Sequence, residues 1–186
     1  MSHEIEVKLQ LGIEAFAPAG ITLELSTPRH FEDNWLLDTE ARQLGKQFSI
    51  LRVRAMNGKG LLTYKEKAGD DAPTSQFKLR VELETELDNV SEALAIFARL
   101  GYHRFFRYQK YRSIYEAIFP SGKRLHVMAD ETPLGNFLEL EGEEDAIAEA
   151  VHLLGLTPSD YILESYLALQ IAHCRQRGKP LEDMVF

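Results

Sequence analysis

The regular alternation of apolar and charged residues is the feature that most constrains how this 186-residue chain can fold. It is clearest between residues 77 and 86, where apolar and charged side chains occupy every second position. Successive side chains of a strand point to opposite faces, so the pattern predicts a strand with one apolar and one charged face. The first strand repeats it, with Glu4, Glu6 and Lys8 on one face. Further strands are predicted over residues 48–56, 61–67, 104–119, 124–130 and 135–141, with shorter extended segments at 22–25 and 30–37 separated by Pro28.

Three amphipathic helices are predicted between and after these strands. They begin at Asn89 or Ser91, at Glu143 and at Ser159, and each carries an apolar stripe that needs a surface to cover. Strands with one apolar face and helices with one apolar stripe form either a barrel whose apolar face is outside or an open sheet with one solvated face. Like charges on one strand face repel each other, and this favours the barrel, where a ligand can neutralise them. The tail after Gly178 has no strong local pattern.

Composition fits one soluble domain, predicted to span residues 1–186. The chain is 45% hydrophobic and 27% charged, as globular proteins are, and its formal net charge of -8 disfavours non-specific attraction to nucleic acid or membranes. Cys174 is the only cysteine, so no internal disulfide forms. The N-terminus lacks a secretory signal, and no apolar run reaches the roughly 18 residues of a membrane span, so we expect a cytoplasmic protein.

The charged faces combine two chemistries. Carboxylates recur as Glu-x-Glu pairs, and hard oxygen donors of this kind suit a divalent cation. Lysines and arginines recur on neighbouring strands, including a face with Tyr108, Lys110 and Arg112, and such groups suit phosphates. Together they predict a site for a metal ion and a phosphate.

An ordered set of motifs resembles the CYTH family, the triphosphate tunnel metalloenzymes. The resemblance runs along about the whole chain, and its motifs are Glu4-x-Glu6-x-Lys8, Leu51-Arg52-Val53-Arg54, Thr63-Tyr64-Lys65, Arg80-x-Glu82-x-Glu84, Lys110-Tyr111-Arg112, Asp130 and Gly135-x-Phe137-x-Glu139-x-Glu141. The resemblance implies an α+β fold: a closed antiparallel β-barrel of about eight strands that forms a polar tunnel, with the amphipathic helices packed outside. It also implies an enzyme that binds a triphosphate and Mg²⁺ or Mn²⁺ in the tunnel.

The same resemblance assigns roles to individual side chains. The acids implied on the metal side are Glu4, Glu6, Asp130, Glu139 and Glu141. The implied triphosphate clamp consists of Lys8, Arg52, Arg54, Lys65 and Arg112, with Arg80 and Lys110 as further contacts. Glu82 and Lys65 are the expected catalytic residues; Glu82 or Glu84 either orients a water molecule or serves as a structural partner of Arg80.

Two departures from the family pattern bear on the activity. Val7 precedes Lys8, and residues 30–38 contain no tyrosine, so the chain resembles the inorganic triphosphatase branch less well. This segment looks more like the second-strand region of class IV adenylate cyclases, in its arrangement of His30, Asp33, Trp35 and Asp38. Glu164 stands where many members have a basic residue, and this questions whether the C-terminal helix closes the tunnel.

The expected function is class IV adenylate-cyclase-like conversion of ATP to cyclic AMP and pyrophosphate. The alternatives are a triphosphatase acting on thiamine triphosphate, a nucleoside triphosphate or inorganic triphosphate, a non-catalytic module that binds polyphosphate or nucleotide, and a helix-backed interaction domain. We expect the partner to be a small triphosphate, with neither nucleic acid nor a membrane involved; a homodimer is left open.

Overall fold

Eight antiparallel strands close into a barrel in the computed structural model. The structure describes residues 2–67 and 77–186, and it describes the side chains of these residues except residues 2–4, 78 and 79. The strands are β1 (Ser2–Leu9), β2 (Thr22–Asp38), β3 (Ile50–Met56), β4 (Lys59–Lys67), β5 (Lys78–Leu87), β6 (His103–Ile118), β7 (Arg124–Thr132) and β8 (Gly135–Glu141). Their order around the barrel is β1-β5-β4-β3-β2-β6-β7-β8, and β8 pairs with β1 to close it. The predicted closed barrel is confirmed.

Helices α1 (Gln43–Lys46), α2 (Val90–Arg99), α3 (Glu144–Leu153) and α4 (Tyr166–Gln176) lie outside the barrel. The Asn89 side chain caps α2 by accepting a hydrogen bond from the Glu92 backbone N–H at 3.1 Å, so of the two predicted caps, Asn89 and Ser91, the structure has Asn89. The last helix begins later than residue 159, because Pro158–Asp160 forms a separate 3₁₀ turn and Ser165 caps α4 instead. None of the described helices has the length and apolar character needed to cross a membrane.

Strand β2 is one continuous element of 17 residues, so the predicted break at Pro28 is wrong. Proline has no N–H to donate to a ladder and normally interrupts a strand. Here the register with β6 shifts between Leu25 and Thr27 and again between Thr27 and His30. At these irregularities the ladder does not need the N–H that Pro28 lacks, so the strand continues through them.

The hydrophobic core lies between the outer face of the barrel and α3. Leu138 and Leu140 of β8 are 1% and 0% exposed, and they belong to one buried cluster with Ile147 and Val151 of α3. Full burial of such side chains contributes about 1.5–3 kcal/mol each. The outward leucines fix the strand's orientation, so the residues alternating with them, Glu139 among them, face the interior.

The C-terminal tail is ordered against the first half of β6, where β7 does not pair. The Gln109 backbone N–H donates to the Met184 carbonyl at 2.8 Å, and the Met184 N–H donates to the Arg107 carbonyl at 3.0 Å. Met184 is 1% exposed and packs in a second apolar cluster that includes Tyr166. Local patterning does not reveal this segment because a distant strand supplies its backbone partners.

Candidate functional site

The inward faces of the strands enclose a cavity of about 450 Å³ lined by six basic and five acidic side chains. The basic residues are Lys8, Arg52, Arg54, Lys65, Lys110 and Arg112, and the acidic residues are Glu6, Glu82, Glu84, Glu139 and Glu141. All of these were named as candidate site residues from the sequence, Glu84 as an alternative to Glu82. The structure therefore brings most of the predicted site residues together in one tunnel.

Asp130 lies behind the tunnel wall and holds two of the cations in place. Its two carboxylate oxygens accept hydrogen bonds at 2.6 Å from Nε and Nη2 of Arg112, and one of them also accepts from Lys110 Nζ at 2.9 Å. The Tyr166 hydroxyl donates to the same carboxylate at 2.7 Å. The Asp130 side chain is 0% exposed, so both oxygens are used within the wall. This placement suits a counter-ion for Lys110 and Arg112 better than the predicted metal ligand.

Lys8 projects from β1 into the same wall. Its Nζ lies 3.1 Å from Glu139 Oε1 and donates to the Glu164 carbonyl at 3.2 Å. Burial alone would lower the pKa of Lys8, but the negative charges of Glu139, Glu6 and Asp130 together outweigh it and raise the pKa above its usual value. Lys8 is therefore charged at neutral pH. Glu139 also accepts a hydrogen bond from Arg112.

Glu32 is a central member of the site that sequence reasoning missed. It is 1% exposed, and its carboxylate lies 3.3 Å from Arg54, 3.4 Å from His30 and 3.5 Å from Lys110. Burial would raise the pKa of Glu32, but Lys110 and Arg54 lower it well below the usual range. The alternation of His30, Glu32 and Asn34 on one face of β2 was the available signal.

Arg52 joins a hydrogen-bonded cluster across four strands, β3 to β6. It donates to the Tyr108 hydroxyl at 3.3 Å, to Thr63 Oγ1 at 3.0 Å and to Glu84 Oε1 at 3.4 Å. Thr63 in turn donates to Glu84 at 2.5 Å. Arg54 is held separately, by the side-chain oxygen of Asn34 at 2.8 Å. These partners fix both guanidinium groups before any ligand binds.

Lys65 and Glu82 form the pair predicted to be catalytic, with Nζ and Oε2 2.9 Å apart. Both line the cavity. Arg80 lies elsewhere: its guanidinium donates to the Phe48 carbonyl at 2.8 Å, and it borders a second cavity instead. Its predicted contact with the triphosphate stays a prediction.

The acids predicted to bind metal lie on adjacent strands. Glu6 of β1 is the register partner of Glu141 of β8, and both line the cavity with Glu139. Among the described side chains, which exclude that of Glu4, no three His, Cys, Asp or Glu groups already surround one point as a metal centre. The carboxylate oxygens of Glu6, Glu139 and Glu141 are nevertheless the hard donors that Mg²⁺ or Mn²⁺ prefers, so the donor set fits such an ion.

The start of α4 covers one end of the tunnel. Ser165, Tyr166 and Leu167 line the cavity, and the Tyr166 ring lies 4.6 Å from Lys8 Nζ. The side chain of Glu164 is exposed, and only its backbone carbonyl reaches Lys8. The acidic character of Glu164 therefore does not prevent this helix from closing the tunnel.

A smaller cavity of about 170 Å³ adjoins that end. It shares Leu36, Ile50 and Leu167 with the tunnel lining and is bordered by Phe48 and Phe105. Phe48 is 70% exposed and has a φ of 56°, a conformation that is costly for a bulky residue. A small aromatic recess bordered by Phe48 and Phe105 therefore lies next to the tunnel.

Comparison with known proteins agrees with this geometry. The chain matches the family model of the CYTH domain over residues 2–155. No curated protein is significantly similar to it.

Three solved structures illustrate the likeness of fold. A candidate adenylate cyclase from Vibrio parahaemolyticus is 23% identical, with a TM-score of 0.66, over 89% of this chain and 95% of its own. A protein from Pyrococcus horikoshii is 26% identical, also with a TM-score of 0.66, over 91% of this chain and 99% of its own. A candidate adenylyl cyclase from Hippeastrum, described as having a dominant triphosphatase activity, is 19% identical, with a TM-score of 0.57, over 97% of this chain and 98% of its own.

The family match covers well over half of the chain, and the charged interior of the barrel carries the motifs that first suggested the same family. By sequence, therefore, the chain belongs to the CYTH family.

Proposed function

We propose that this protein is a divalent-metal-dependent enzyme that acts on a triphosphate inside the barrel. The observation that carries the proposal is the convergence of six cationic side chains on one cavity of about 450 Å³. Phosphoryl and nucleotidyl transfer ask a protein mainly to position the phosphates and to stabilise their charge. A tunnel lined by pre-positioned cations meets that demand.

The clamp consists of Lys8, Arg52, Arg54, Lys110 and Arg112, whose donors bind the non-bridging oxygens of the phosphates. Their acid partners hold them at fixed positions, so little reorganisation is needed when the substrate enters. Asp130 and Glu32 are positioning residues in this scheme, because each is buried behind the cations it contacts. Lys65, paired with Glu82, binds the phosphate that reaches that part of the wall.

A metal ion fits the charge balance of the tunnel. The wall carries six basic and five acidic side chains, so it alone does not balance the several negative charges of a triphosphate. Glu6, Glu139 and Glu141, with Glu4 as a further candidate, would hold Mg²⁺ or Mn²⁺. When bound, such an ion supplies charge neutralisation and orients the phosphate oxygens.

The first candidate reaction is class IV adenylate-cyclase-like. The ribose 3′-oxygen of ATP forms a bond to the α-phosphorus. The bond between that phosphorus and the oxygen bridging to the β-phosphorus breaks, and pyrophosphate leaves with the electron pair. The 3′-hydroxyl proton is released to solvent or a base. The aromatic recess next to the tunnel supports a nucleotide substrate, because a heteroaromatic base can pack against Phe48 or Phe105. The clamp then holds the three phosphates.

The second candidate is a triphosphatase. The structurally similar Hippeastrum protein is described as having dominant triphosphatase activity, and this favours hydrolysis as the alternative. Here water attacks the terminal phosphorus and the diphosphate leaves. Glu82 lines the cavity beside Lys65 and would orient that water in this reaction.

Product analysis separates these reactions. The purified protein is incubated with ATP, thiamine triphosphate or inorganic triphosphate, each with Mg²⁺ or Mn²⁺, and the products are resolved by chromatography. Cyclic AMP with pyrophosphate establishes the cyclase, whereas orthophosphate with a diphosphate product (pyrophosphate from inorganic triphosphate) establishes the triphosphatase.

Two variants control this experiment. Glu6→Gln/Glu141→Gln removes two tunnel carboxylates and abolishes metal-dependent turnover on the enzyme hypothesis. Glu131→Gln makes the same chemical change at an exposed position of β7 and leaves turnover unchanged. Triphosphate binding that persists in the double variant, with no turnover in any protein, identifies the non-catalytic binding module. The cytoplasmic location, the homodimer and the absence of a nucleic-acid partner stay predictions.

A further inference from the structure

Tyr108 occupies the middle of the cation cluster, although no site role was assigned to it from the sequence. It projects from β6 into the tunnel and is 6% exposed. Its ring packs on Phe106 and on Tyr166, with centroids 5.9 Å apart in both cases. The ring is therefore fixed, and the hydroxyl has a defined position on the cavity wall.

The hydrogen of the Tyr108 hydroxyl has no acceptor among the described residues. The one hydrogen bond of the Tyr108 hydroxyl among the described residues comes from Arg52 Nη1 at 3.3 Å. A guanidinium can only donate, so the phenol oxygen accepts and its own hydrogen remains available. Arg52 Nε is buried and also lacks a partner among the described residues. Unused buried donors are costly unless a ligand or water satisfies them.

The surroundings of the phenol select the kind of acceptor. Arg52 and Arg54 of β3 and Lys110 of β6 face it, Tyr166 packs on it from α4, and Glu84 of β5 reaches it only through Arg52. Burial alone would raise the pKa of Tyr108, but the three cations outweigh it and lower the pKa below its usual value. A phenol made more acidic is a stronger hydrogen-bond donor, and the nearby cations favour an anionic acceptor.

We infer that the Tyr108 hydroxyl donates its hydrogen to a non-bridging oxygen of the triphosphate. The inference rests on the proposed function, since it takes a triphosphate as the ligand of the tunnel. It makes Tyr108 a substrate-binding residue and gives triphosphate binding an alkaline limit. When the phenol loses its proton, a donor becomes an anion that repels the phosphate.

The test compares Tyr108→Phe with Tyr111→Phe by calorimetric titration with inorganic triphosphate and Mg²⁺. Tyr108→Phe removes only the hydroxyl and keeps the ring packing. Tyr111 lies on the same strand but on the outer face, where its ring contacts Phe31 and Phe186. At about pH 7 we expect Tyr108→Phe to weaken binding about ten-fold or more, and Tyr111→Phe to leave it unchanged.

The pH dependence distinguishes ligand binding from a packing role. Between about pH 7 and about pH 9.5 the wild type loses more affinity than Tyr108→Phe, because only the wild type forms the phenolate. Titration of the ligand, the metal ion and the lysines is common to both proteins. The pKa of Tyr166 is raised well above its usual value by burial and by Asp130, so Tyr166 stays protonated.

Three results overturn the inference. Equal affinity of Tyr108→Phe and the wild type leaves the proposed function intact and removes Tyr108 from the site. Weaker binding with a pH dependence parallel to that of the wild type shows that the hydroxyl only holds Arg52. A wild-type protein that binds no triphosphate overturns the proposed function together with the inference.

Discussion

Asp130→Asn is expected to destabilise the protein strongly, because the carboxylate is the shared counter-ion of two buried cations. Asparagine keeps the size of the side chain but removes the charge that faces Arg112 and Lys110. Breaking a buried ion pair by removing one partner costs about 3–5 kcal/mol. Glu139 still contacts Arg112 and Glu32 lies 3.5 Å from Lys110, so we expect the lower end, about 3 kcal/mol. That is a large part of the roughly 5–15 kcal/mol that stabilises a typical domain.

Urea unfolding at neutral pH measures the loss, with Glu131→Gln as the matched control. Glu131 is the next residue of β7, and its partner Arg29 is 52% exposed, so the control should cost about 0–1 kcal/mol. For a chain of this size, 3 kcal/mol lowers Tm by roughly 6–12 °C. If Asp130→Asn unfolds within about 1 kcal/mol of the control, the carboxylate is not the support of the cation cluster and the reasoning fails.

Three further predictions address stability, metal and substrate. The hydrogen bond with Glu32 raises the pKa of His30 in the folded protein. The stability that His30 adds is therefore complete below its unfolded pKa of about 6.5 and is lost as the pH rises through the raised folded pKa. The free energies of unfolding of the wild type and His30→Gln, measured in urea, should converge at alkaline pH, and a difference that stays constant with pH contradicts this. Chelation of divalent ions should abolish turnover of every triphosphate, with Mg²⁺ or Mn²⁺ restoring it, and full activity in the chelator excludes the proposed metal role. Phe48→Gly should raise the free energy of unfolding by about 1 kcal/mol, because glycine tolerates a positive φ. The same variant should bind ATP more weakly but inorganic triphosphate equally well. An equal loss of affinity for both ligands argues against a base in the recess.

The barrel and most of its lining could be predicted because strand periodicity is a local property. Leu138 and Leu140 are apolar and Glu139 and Glu141 are charged, and this alternation alone separates the two faces of β8. The local pattern does not show whether the sheet closes into a barrel. An open sheet explains the same alternation, so the prediction of closure rested on the like charges of each strand face and on the resemblance to a family.

The parts that escaped prediction depend on contacts between distant residues. Glu32 gains its role from Arg54 and Lys110, which lie on other strands. Tyr108 was placed on the charged face of β6, but its unused hydroxyl hydrogen follows only from the position of Arg52. The tail around Met184 pairs with β6 more than 70 residues away in sequence. Local pattern identifies which face a residue occupies but not its partner across the barrel.

The acidic residues in and behind the tunnel wall fall into two groups by the exposure of their side chains. This difference explains how a chain of net charge -8 can bind a polyanion. Glu32 and Asp130 have side chains that are 1% and 0% exposed, and they stay behind the cations whether or not a ligand is present. Glu139 and Glu82 are 11% and 14% exposed and face the cavity, so a phosphate can replace them as partners of Lys8 and Lys65. On the proposed function, a displaced Glu139 becomes available to a metal ion that arrives with the triphosphate. The same carboxylate then neutralises the clamp in the free protein and helps to neutralise the substrate in the complex, because in each state the buried charges need a partner.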